Sequence, residues 1–392
     1  MRFAMKRARI CRAGGSGWSS LHVDLLEQIS GHLSTEADHL HIHQVCAHWR
    51  ASTSPPAAFR PWILTLCAAG RSPPPALPAY HYYSIWHPRR HLQREVDIGA
   101  PPAGLPHCRG ASRGWLALAD AIHSPTRLVL WDPASGAEIR LPPLANVIQV
   151  FLSADPLASP DDWMAVASQR QGNMCAQKPF FWRPGDAAWS VLCDRPTAGI
   201  DSVAFHGGRM YYLDCMRLLV VCDLNPGPAQ APFRITNTSG VMNRLCSCDP
   251  FHGVRGAHMV SCAGDLLLVV VRENSGHPSF AEIYKLEKPP ESGRPLELGD
   301  RVRDLGEHSL FLSRGESFAL SAKEFPAIKR NHVYGLSVGH NPKMSGWAFV
   351  FDLGLDTLKE IPYPQQLRDD GSKWRSCFWL CFKGPFMKKQ QH

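Results

Sequence analysis

The sequence predicts a mainly β protein: a β-propeller of about six blades, preceded by a small unit of three helices. Two observations favour this architecture. Strand-like segments recur along most of the chain at intervals of 37 to 55 residues, and such a loose period is typical of propeller blades. The 31 glycines and 33 prolines supply the turns that many short strands require. A pair of ordinary β-sandwiches is the alternative, and only the recurring period argues against it.

The net charge is concentrated at the two ends of the chain. Residues 1–17 carry five basic residues and no acid, and residues 381–392 carry three more, which together equal the net charge of +8. The stretch between them is balanced and offers no general attraction for a phosphate backbone. We therefore expect disordered basic tails at 1–17 and 383–392, and no nucleic-acid partner.

The cysteines and the apolar runs bear on the cellular compartment. Thirteen cysteines is an odd number, and they follow no fixed spacing in a chain too large to need disulfides. The longest aliphatic run, Leu266 to Val271, is far shorter than the ~20 residues of a membrane-spanning helix. The sequence therefore predicts a soluble protein, cytoplasmic and/or nuclear, with no membrane partner.

Residues 18–52 have the pattern of a small helical unit. A second helix is expected from Thr35 to about His43, and a third helix or turn around Trp49. A unit of this size is barely stable alone, so its apolar face is expected to need a partner. In the first helix, apolar residues at helical spacing share one face: Leu25, Leu26, Ile29 and Leu33.

The same unit resembles the F-box. The positions that carry the resemblance are Leu21, Asp24, Leu25, Leu26, Ile29, Leu33, Asp38, Val45, Cys46, Trp49 and Arg50. His22 stands where the family usually has proline, and His41 where it often has arginine. The resemblance implies binding to a Skp-type adaptor through a set of apolar residues: Leu21, Leu25, Leu26, Ile29, Leu33, Val45 and Trp49.

After a Pro-containing linker at 53–59, the pattern from 60 to 382 is strand, turn, strand. One unit consists of strands at 115–119, 127–131 and 138–141 with a turn at 132–136. Comparable units follow along the chain. The markers from which the blades are counted are positions 115, 163, 205, 260, 310 and 347.

Four blocks of this region resemble the plant F-box-associated β-propeller family of the KIB type. They are Leu130-Trp-Asp-Pro-x-Ser-Gly136, Phe181-Trp-Arg-Pro-Gly-Asp-Ala-Ala-Trp189, Ala204-Phe-His-Gly-Gly208 and Ser309-Leu-Phe-Leu-Ser-Arg-Gly-Glu-Ser-Phe-Ala-Leu320. The resemblance implies a non-catalytic substrate-receptor subunit of a cullin-RING (SCF-type) ubiquitin ligase, with an adaptor, a cullin scaffold and a protein target as partners. Two alternatives stay open: an adaptor-independent interaction scaffold, motivated by His22, and a propeller lectin or enzyme.

Two motifs raise the question of catalytic or metal chemistry. Gly110-x-Ser112-x-Gly114 matches a nucleophile elbow, which requires a strand before it and a helix after it. Here a Pro-rich loop precedes and a strand follows, so Ser112 is expected in a turn that enters a blade. A zinc site is disfavoured because one-residue cysteine spacing is a poor match, and we predict no catalytic residue, metal or cofactor. The candidate metal ligands are Cys246, Cys248, His252, His258 and Cys262.

Tryptophans and turns are the remaining candidates for recognition. Trp131, Trp182 and Trp189 lie beside predicted turns, where they can fill space between blades or stack on a sugar. Target-binding residues are expected in loops held by the rigid ring. The turns expected to be most exposed are 132–136, 184–186 and 272–278.

Overall fold

A computed structural model describes most of the strand-forming region and part of the helical unit. The described residues are 18–33, 42, 45–53, 61–67, 80–83, 101–172, 176–192, 197, 199–215, 218–224, 235–237, 253–274, 277–287, 296–325, 328–336, 346–362 and 374–381. Within these ranges, no helix has the length and apolar character that crossing a membrane would require.

The helical unit contains a 3₁₀ turn at Trp18–Ser20, helix α1 at Val23–Gly31 and helix α2 at Ala47–Ser52. His22 caps α1, since its Nδ1 accepts a hydrogen bond from the backbone N–H of Asp24. The second predicted helix, from Thr35 to His43, lies outside the described residues except for position 42. The described residues therefore hold two α-helices, and the complete three-helix F-box unit stays a prediction.

A three-stranded sheet joins the two ends of the strand-forming region. Strand β1 (Trp62–Cys67) pairs antiparallel with β2 (Tyr80–Tyr83) on one side and with the last strand, β25 (Trp374–Leu380), on the other. Because β1 and β25 lie about 300 residues apart in the chain, their pairing closes the strand-forming region into a ring. We call this the closing sheet.

Blades 1 and 2 are antiparallel sheets whose strands follow chain order. The strands of blade 1 are β3 (His107–Ser112), β4 (Trp115–Ala119), β5 (Leu128–Trp131) and β6 (Glu138–Leu141). The strands of blade 2 are β7 (Val147–Leu152), β8 (Ala165–Arg170), β9 (Gln177–Trp182) and β10 (Ser190–Val191).

Blades 3 and 4 repeat this arrangement with longer strands in blade 4. Blade 3 contains β11 (Ile200–His206), β12 (Arg209–Asp214), β13 (Leu219–Asp223) and β14 (Ile235–Asn237). Blade 4 contains β15 (Gly253–Cys262), β16 (Asp265–Asn274), β17 (His277–Glu287) and β18 (Glu297–Val302).

Blade 5 departs from the simple pattern because it includes an extra hairpin. Its strands are β19 (His308–Leu312), β21 (Phe318–Ser321), β22 (His332–Leu336), β23 (Gly346–Asp352) and β24 (Thr357–Pro362). Strands β19 and β21 form the hairpin, and β19 runs parallel to β22. The short strand β20 (Gly315–Glu316), at the hairpin tip, pairs with blade 3 instead.

The propeller is confirmed, but the expected count of about six blades is corrected to five. In the described residues, five sheets have four or five strands, and the closing sheet has three. The count was too high because markers 310 and 347 lie in the same sheet, on β19 and β23. The hairpin inserted into blade 5 lengthens that blade, so the sequence mimics the spacing of two blades.

Apolar side chains fill the gaps between neighbouring sheets around the ring. One cluster joins the closing sheet to blade 1 through Trp62, Trp131 and Phe378. Further clusters join blades 1 and 2, blades 2 and 3, blades 3 and 4, blades 4 and 5, and blade 5 and the closing sheet. Each sheet thus buries both faces, as the sheets of a closed ring must.

Gly110 allows the innermost strands of blades 1 and 2 to approach closely. Its φ of +146° is rare for residues with a side chain, and an added Cβ would lie 2.5 Å from the carbonyl oxygen of Val150. Since the obstacle is backbone on the neighbouring strand β7, it cannot rotate away.

We predict that Gly110→Ala lowers the free energy of unfolding by more than about 2 kcal/mol, because overpacking adds to backbone strain. Gly136→Ala is the matched control, since Gly136 also has positive φ (+70°) but no atom within 4 Å of an added Cβ. Its expected cost is about 1 kcal/mol. Urea unfolding curves measure both values, and equal losses would contradict this account of the contact.

Candidate functional site

The tip of the blade 5 hairpin, residues 313–317, reaches across the centre of the ring. Strand β20 pairs in parallel with β11, with Gly315 opposite Ser202 and Glu316 opposite Val203, and it also contacts β3 and β7. An added Cβ on Gly315, whose φ is +98°, would lie 2.8 Å from the Phe151 ring. One segment of blade 5 therefore touches the innermost strands of blades 1, 2 and 3.

Glu316 is the polar anchor of this tip. Its buried carboxylate accepts a hydrogen bond from Ser112 Oγ and lies 3.1 Å, Oε1 to Nε, from Arg113. Ser112 Oγ in turn accepts the backbone N–H of Leu152 at 2.9 Å. A buried carboxylate is stable only with such charge-assisted partners, so Glu316 fixes blades 1 and 2 to the hairpin.

Ser112 is therefore a structural residue of the ring centre. It ends β3, and the turn at Arg113 and Gly114 leads directly into strand β4. The sequence predicted a loop before Ser112 and placed Ser112 in a turn, but Ser112 is the last residue of a strand, and Gly110, which suggested the turn, lies in a β-bulge of that strand. The strand that follows was predicted correctly, and it lies where a nucleophile elbow has a helix. The partner of Ser112, Glu316, is 204 residues away in the chain and carried no local sequence signal.

A small cavity of about 20 Å³ lies beside this anchor. Its lining includes Ser112, Arg113, Glu316, Phe318 and Trp379. A cavity of this size holds about one water molecule, so it has no room for a sugar or another organic substrate.

His258, on β15, holds the hairpin from the side of blade 4. Its Nδ1 lies 3.2 Å from the carbonyl oxygen of Ser313, which only accepts, so Nδ1 carries the proton. Complete burial lowers the pKa of His258 to about 4, although the bond to Ser313 opposes the shift. The imidazole is therefore neutral at pH 7.

The structure describes two of the five candidate metal ligands. His258 is engaged with Ser313, and Cys262 packs in the core between blades 4 and 5. Burial raises the pKa of the Cys262 thiol to about 11, which disfavours the thiolate that binds metals. Cys246, Cys248 and His252 lie outside the described residues. Among the residues that are described, no three His, Cys, Asp or Glu side chains form a metal-binding group.

The tryptophans considered for sugar binding take part in packing between blades. Trp131 and Trp182 are buried in the cores on either side of blade 1. Trp189 is half-buried, and its Nε1 donates to the carbonyl oxygen of Pro142 at 2.7 Å, which links blade 2 to the segment after blade 1. Their expected role as fillers of space between blades is confirmed.

The three turns expected to be exposed behave differently. Residues 184–186 are exposed as predicted. The prediction is wrong for part of 132–136, where Pro133 and Ala134 are buried. It is also wrong for Arg272, which is 3% exposed and forms an ion pair with Glu282 on the neighbouring strand.

The structure divides the predicted adaptor-binding residues into three groups. Leu26 and Trp49 are buried and, with Ile42, form the core of the helical unit. Leu21, Ile29 and Leu33 are half-buried against that core. Leu25 and Val45 are exposed, by 48% and 52%. The adaptor-binding role stays a prediction, and only the last two residues expose enough side chain to provide a large contact without rearrangement.

Two further apolar side chains of the unit are exposed and were missed by sequence reasoning. Trp18 is 74% exposed and Val23 is 45% exposed. Neither lies on the apolar helical face from which the candidate residues were chosen. We use the term exposed apolar set for Trp18, Val23, Leu25 and Val45.

We predict that Glu316→Ala lowers the free energy of unfolding by about 3 kcal/mol, because it leaves Arg113 and Ser112 without their buried acceptor. Arg314→Ala on the same tip is the matched control, since its pair with Asp201 spans 3.8 Å and both side chains are about half exposed. Such a pair contributes at most about 1 kcal/mol. Chemical unfolding measures the stability of both variants. A loss of unfolding free energy in Glu316→Ala as small as that in Arg314→Ala would refute the anchoring role of Glu316.

We predict that His258 makes the fold sensitive to acid. Above about pH 6.5 histidine is neutral in both the folded and unfolded states, so it contributes no pH dependence. Between about 6.5 and 4 the unfolded state binds a proton that the folded state excludes, which removes about 3 kcal/mol of stability by pH 4. His258→Gln should therefore have a flatter stability profile over this range, and an identical slope for both proteins would contradict the burial of a neutral imidazole.

Comparison with known proteins agrees with the architecture. The family model described as KIB1-4 beta-propeller matches residues 82–352. No curated protein matches the sequence at a significant level.

Solved structures give weak similarities. The beta-propeller domain of Cps50 (Swd1) from Myceliophteria thermophila is 12% identical, with a TM-score of 0.30, and covers 67% of this chain and 89% of that one. Xylan beta-1,4-xylosidase from Bacillus halodurans C-125 is 11% identical, with a TM-score of 0.23, and covers 51% of this chain and 43% of that one. Neither likeness bears on function.

The family model spans more than half of the chain and includes all five blades up to β23. The ring of five blades with its closing sheet agrees with that match. The chain therefore belongs to the KIB1-4 β-propeller family, whose propeller is a protein-interaction fold.

Proposed function

We propose that this protein is the substrate-receptor subunit of a cullin-RING (SCF-type) ubiquitin ligase. The helical unit binds a Skp-type adaptor and through it a cullin scaffold, and the propeller binds a protein target. The receptor has no catalytic residue or cofactor of its own. It acts in the cytoplasm and/or nucleus, by raising the effective concentration of target lysines near a ubiquitin-charged enzyme.

The observation that carries this proposal is the exposed apolar set on a short helical unit. The described core consists of Leu26, Ile42 and Trp49, while Trp18, Leu25 and Val45 each expose about half or more of their surface. A short unit that leaves so much apolar surface in water gains stability by covering it with a partner. The F-box resemblance supplies the identity of that partner.

The burial pattern separates two roles within the predicted adaptor-binding residues. Leu25 and Val45 contact the adaptor directly, and the exposed Trp18 and Val23 of the same helical unit extend that surface. Leu26 and Trp49 act by holding α1 against α2, since they are buried within the unit. Leu21, Ile29 and Leu33 contribute their partly exposed edges.

The propeller supports target binding through rigidity and exposed turns. The hairpin tip at the ring centre fixes three blades relative to one another, so turns such as 184–186 are presented on a stable frame. An adaptor-independent interaction scaffold is the alternative. The adaptor-binding measurement below distinguishes the two functions.

We predict that Leu25→Glu combined with Val45→Glu weakens binding to a purified Skp-type adaptor at least tenfold. We expect Leu25 and Val45 to lie at the centre of the interface, where truncating a hot-spot side chain costs about 2 kcal/mol or more, and charges add a desolvation cost. The same variant should still bind the target but no longer support its ubiquitination in a reconstituted assay. Calorimetric titration with the adaptor gives the affinity.

Two variants serve as controls for this experiment. Leu355→Glu changes an apolar residue that is 72% exposed at the turn between β23 and β24, and it should leave adaptor affinity unchanged. His22→Pro should also retain binding, because the φ of His22, −60°, is the value that proline requires. Equal adaptor affinity for the double variant and the parent protein would exclude the exposed apolar set as the adaptor surface.

A further inference from the structure

Arg109, on the innermost strand of blade 1, has a buried guanidinium edge without a partner among the described residues. It lies in the β-bulge of β3, where the pairing with β4 shifts between Cys108 and Ala111. Its Nε and Nη2 each expose less than 1 Å², and no acceptor from the described part of the chain bonds to them. Buried guanidinium donors are almost always paired, because an unpaired charge is costly to remove from water.

The relative positions of these two nitrogens determine which ligand would fit Arg109. Nε and Nη2 form one edge of the planar guanidinium, and their N–H bonds point in the same direction. This edge matches two oxygens of one oxyanion, as in bidentate arginine–phosphate pairs. Arg109 therefore holds a complete bidentate donor set to which no described residue is bound.

The surroundings of Arg109 are positively charged. Arg170, at the end of β8, is exposed and near enough to act on Arg109 electrostatically. Burial lowers the pKa of Arg109, Cys108 opposes this shift, and Arg170 lowers the pKa further. Among the residues that the structure describes, no carboxylate forms an ion pair with either arginine.

Asp120, the residue after β4, is an acid in this part of blade 1. Asp120 accepts the backbone N–H and the hydroxyl of Thr126. His107, two residues before Arg109, has its pKa lowered by burial and by Arg109, while Asp120 opposes the shift. Arg109 and Arg170 are thus two cations at this end of blades 1 and 2, and no described carboxylate forms an ion pair with either of them.

We propose that Arg109, assisted by Arg170, binds a phosphate group at this end of the propeller. Arg109 as a whole is only half-buried, so rotation of its long side chain brings the donor edge out to the ligand. Phosphate suits the site better than a carboxylate because two arginines compensate a dianion. The phosphate is either free in solution or carried by a side chain of a bound protein.

The test is calorimetric titration of the full-length protein at neutral pH and constant ionic strength, with inorganic phosphate as the first probe. We expect binding by the parent protein, at least tenfold weaker binding by Arg109→Met, and a smaller loss for Arg170→Met. Arg303→Met changes an exposed arginine after blade 4 and should bind phosphate as the parent does.

A second measurement guards against misfolding. Thermal unfolding without phosphate should show that Arg109→Met is at least as stable as the parent, because a buried uncompensated charge has been removed. Phosphate stabilises most proteins nonspecifically, so the readout is the extra stabilisation of the parent over Arg109→Met. No phosphate binding by the parent, or equal binding by Arg109→Met and the parent, would overturn the proposal.

A short phosphoserine peptide and its unphosphorylated form identify the source of the phosphate. Tighter binding of the phosphopeptide than of inorganic phosphate supports a phosphorylated protein ligand. Binding of inorganic phosphate alone supports a free anion. Both titrations are repeated with Arg109→Met. This variant should lose the binding of inorganic phosphate and the preference for the phosphorylated peptide over the unphosphorylated one.

Discussion

The buried carboxylate of Glu316 is the interaction on which the centre of this propeller depends. It belongs to blade 5, yet its partners Ser112 and Arg113 belong to blade 1, and Ser112 also binds the backbone of blade 2. The same tip extends blade 3 by one short parallel strand. A ring held only by apolar contacts between neighbours could shear, whereas this tip fixes blades that are not adjacent to its own.

The sequence predicted those features that depend on short-range patterns. Strands and tight turns recur locally, so the blades could be recognised from their spacing. The strand after Ser112 was predicted in this way, but the strand that ends at Ser112 was not. The blade count failed because the hairpin in blade 5 adds a second marker within one sheet. The closing sheet and the contact between Ser112 and Glu316 join residues hundreds of positions apart, and neither leaves a periodic signal.

The helical unit shows a different limit of sequence reasoning. Leu25 and Leu26 are neighbours of the same residue type and were assigned the same role, but Leu26 is fully buried and Leu25 is half exposed. Helical periodicity identifies an apolar face, but it does not divide that face between the core of the unit and the surface left for a partner. Arg109 was not selected from the sequence at all, because what distinguishes it is that none of the described residues accepts a hydrogen bond from its buried nitrogens.

In the proposed function, the propeller positions a protein target and the helical unit connects it to the ubiquitin ligase. The central tip makes the propeller a rigid frame. Binding of another protein to the helical unit would remove the exposed apolar set from water. Affinity purification of the intact protein from its own cells, with the proteasome inhibited, tests this claim most directly. The account predicts a Skp-type adaptor and a cullin in the purified complex, together with a target that becomes more abundant on inhibition. Recovery of a correctly folded protein without adaptor or cullin would contradict it.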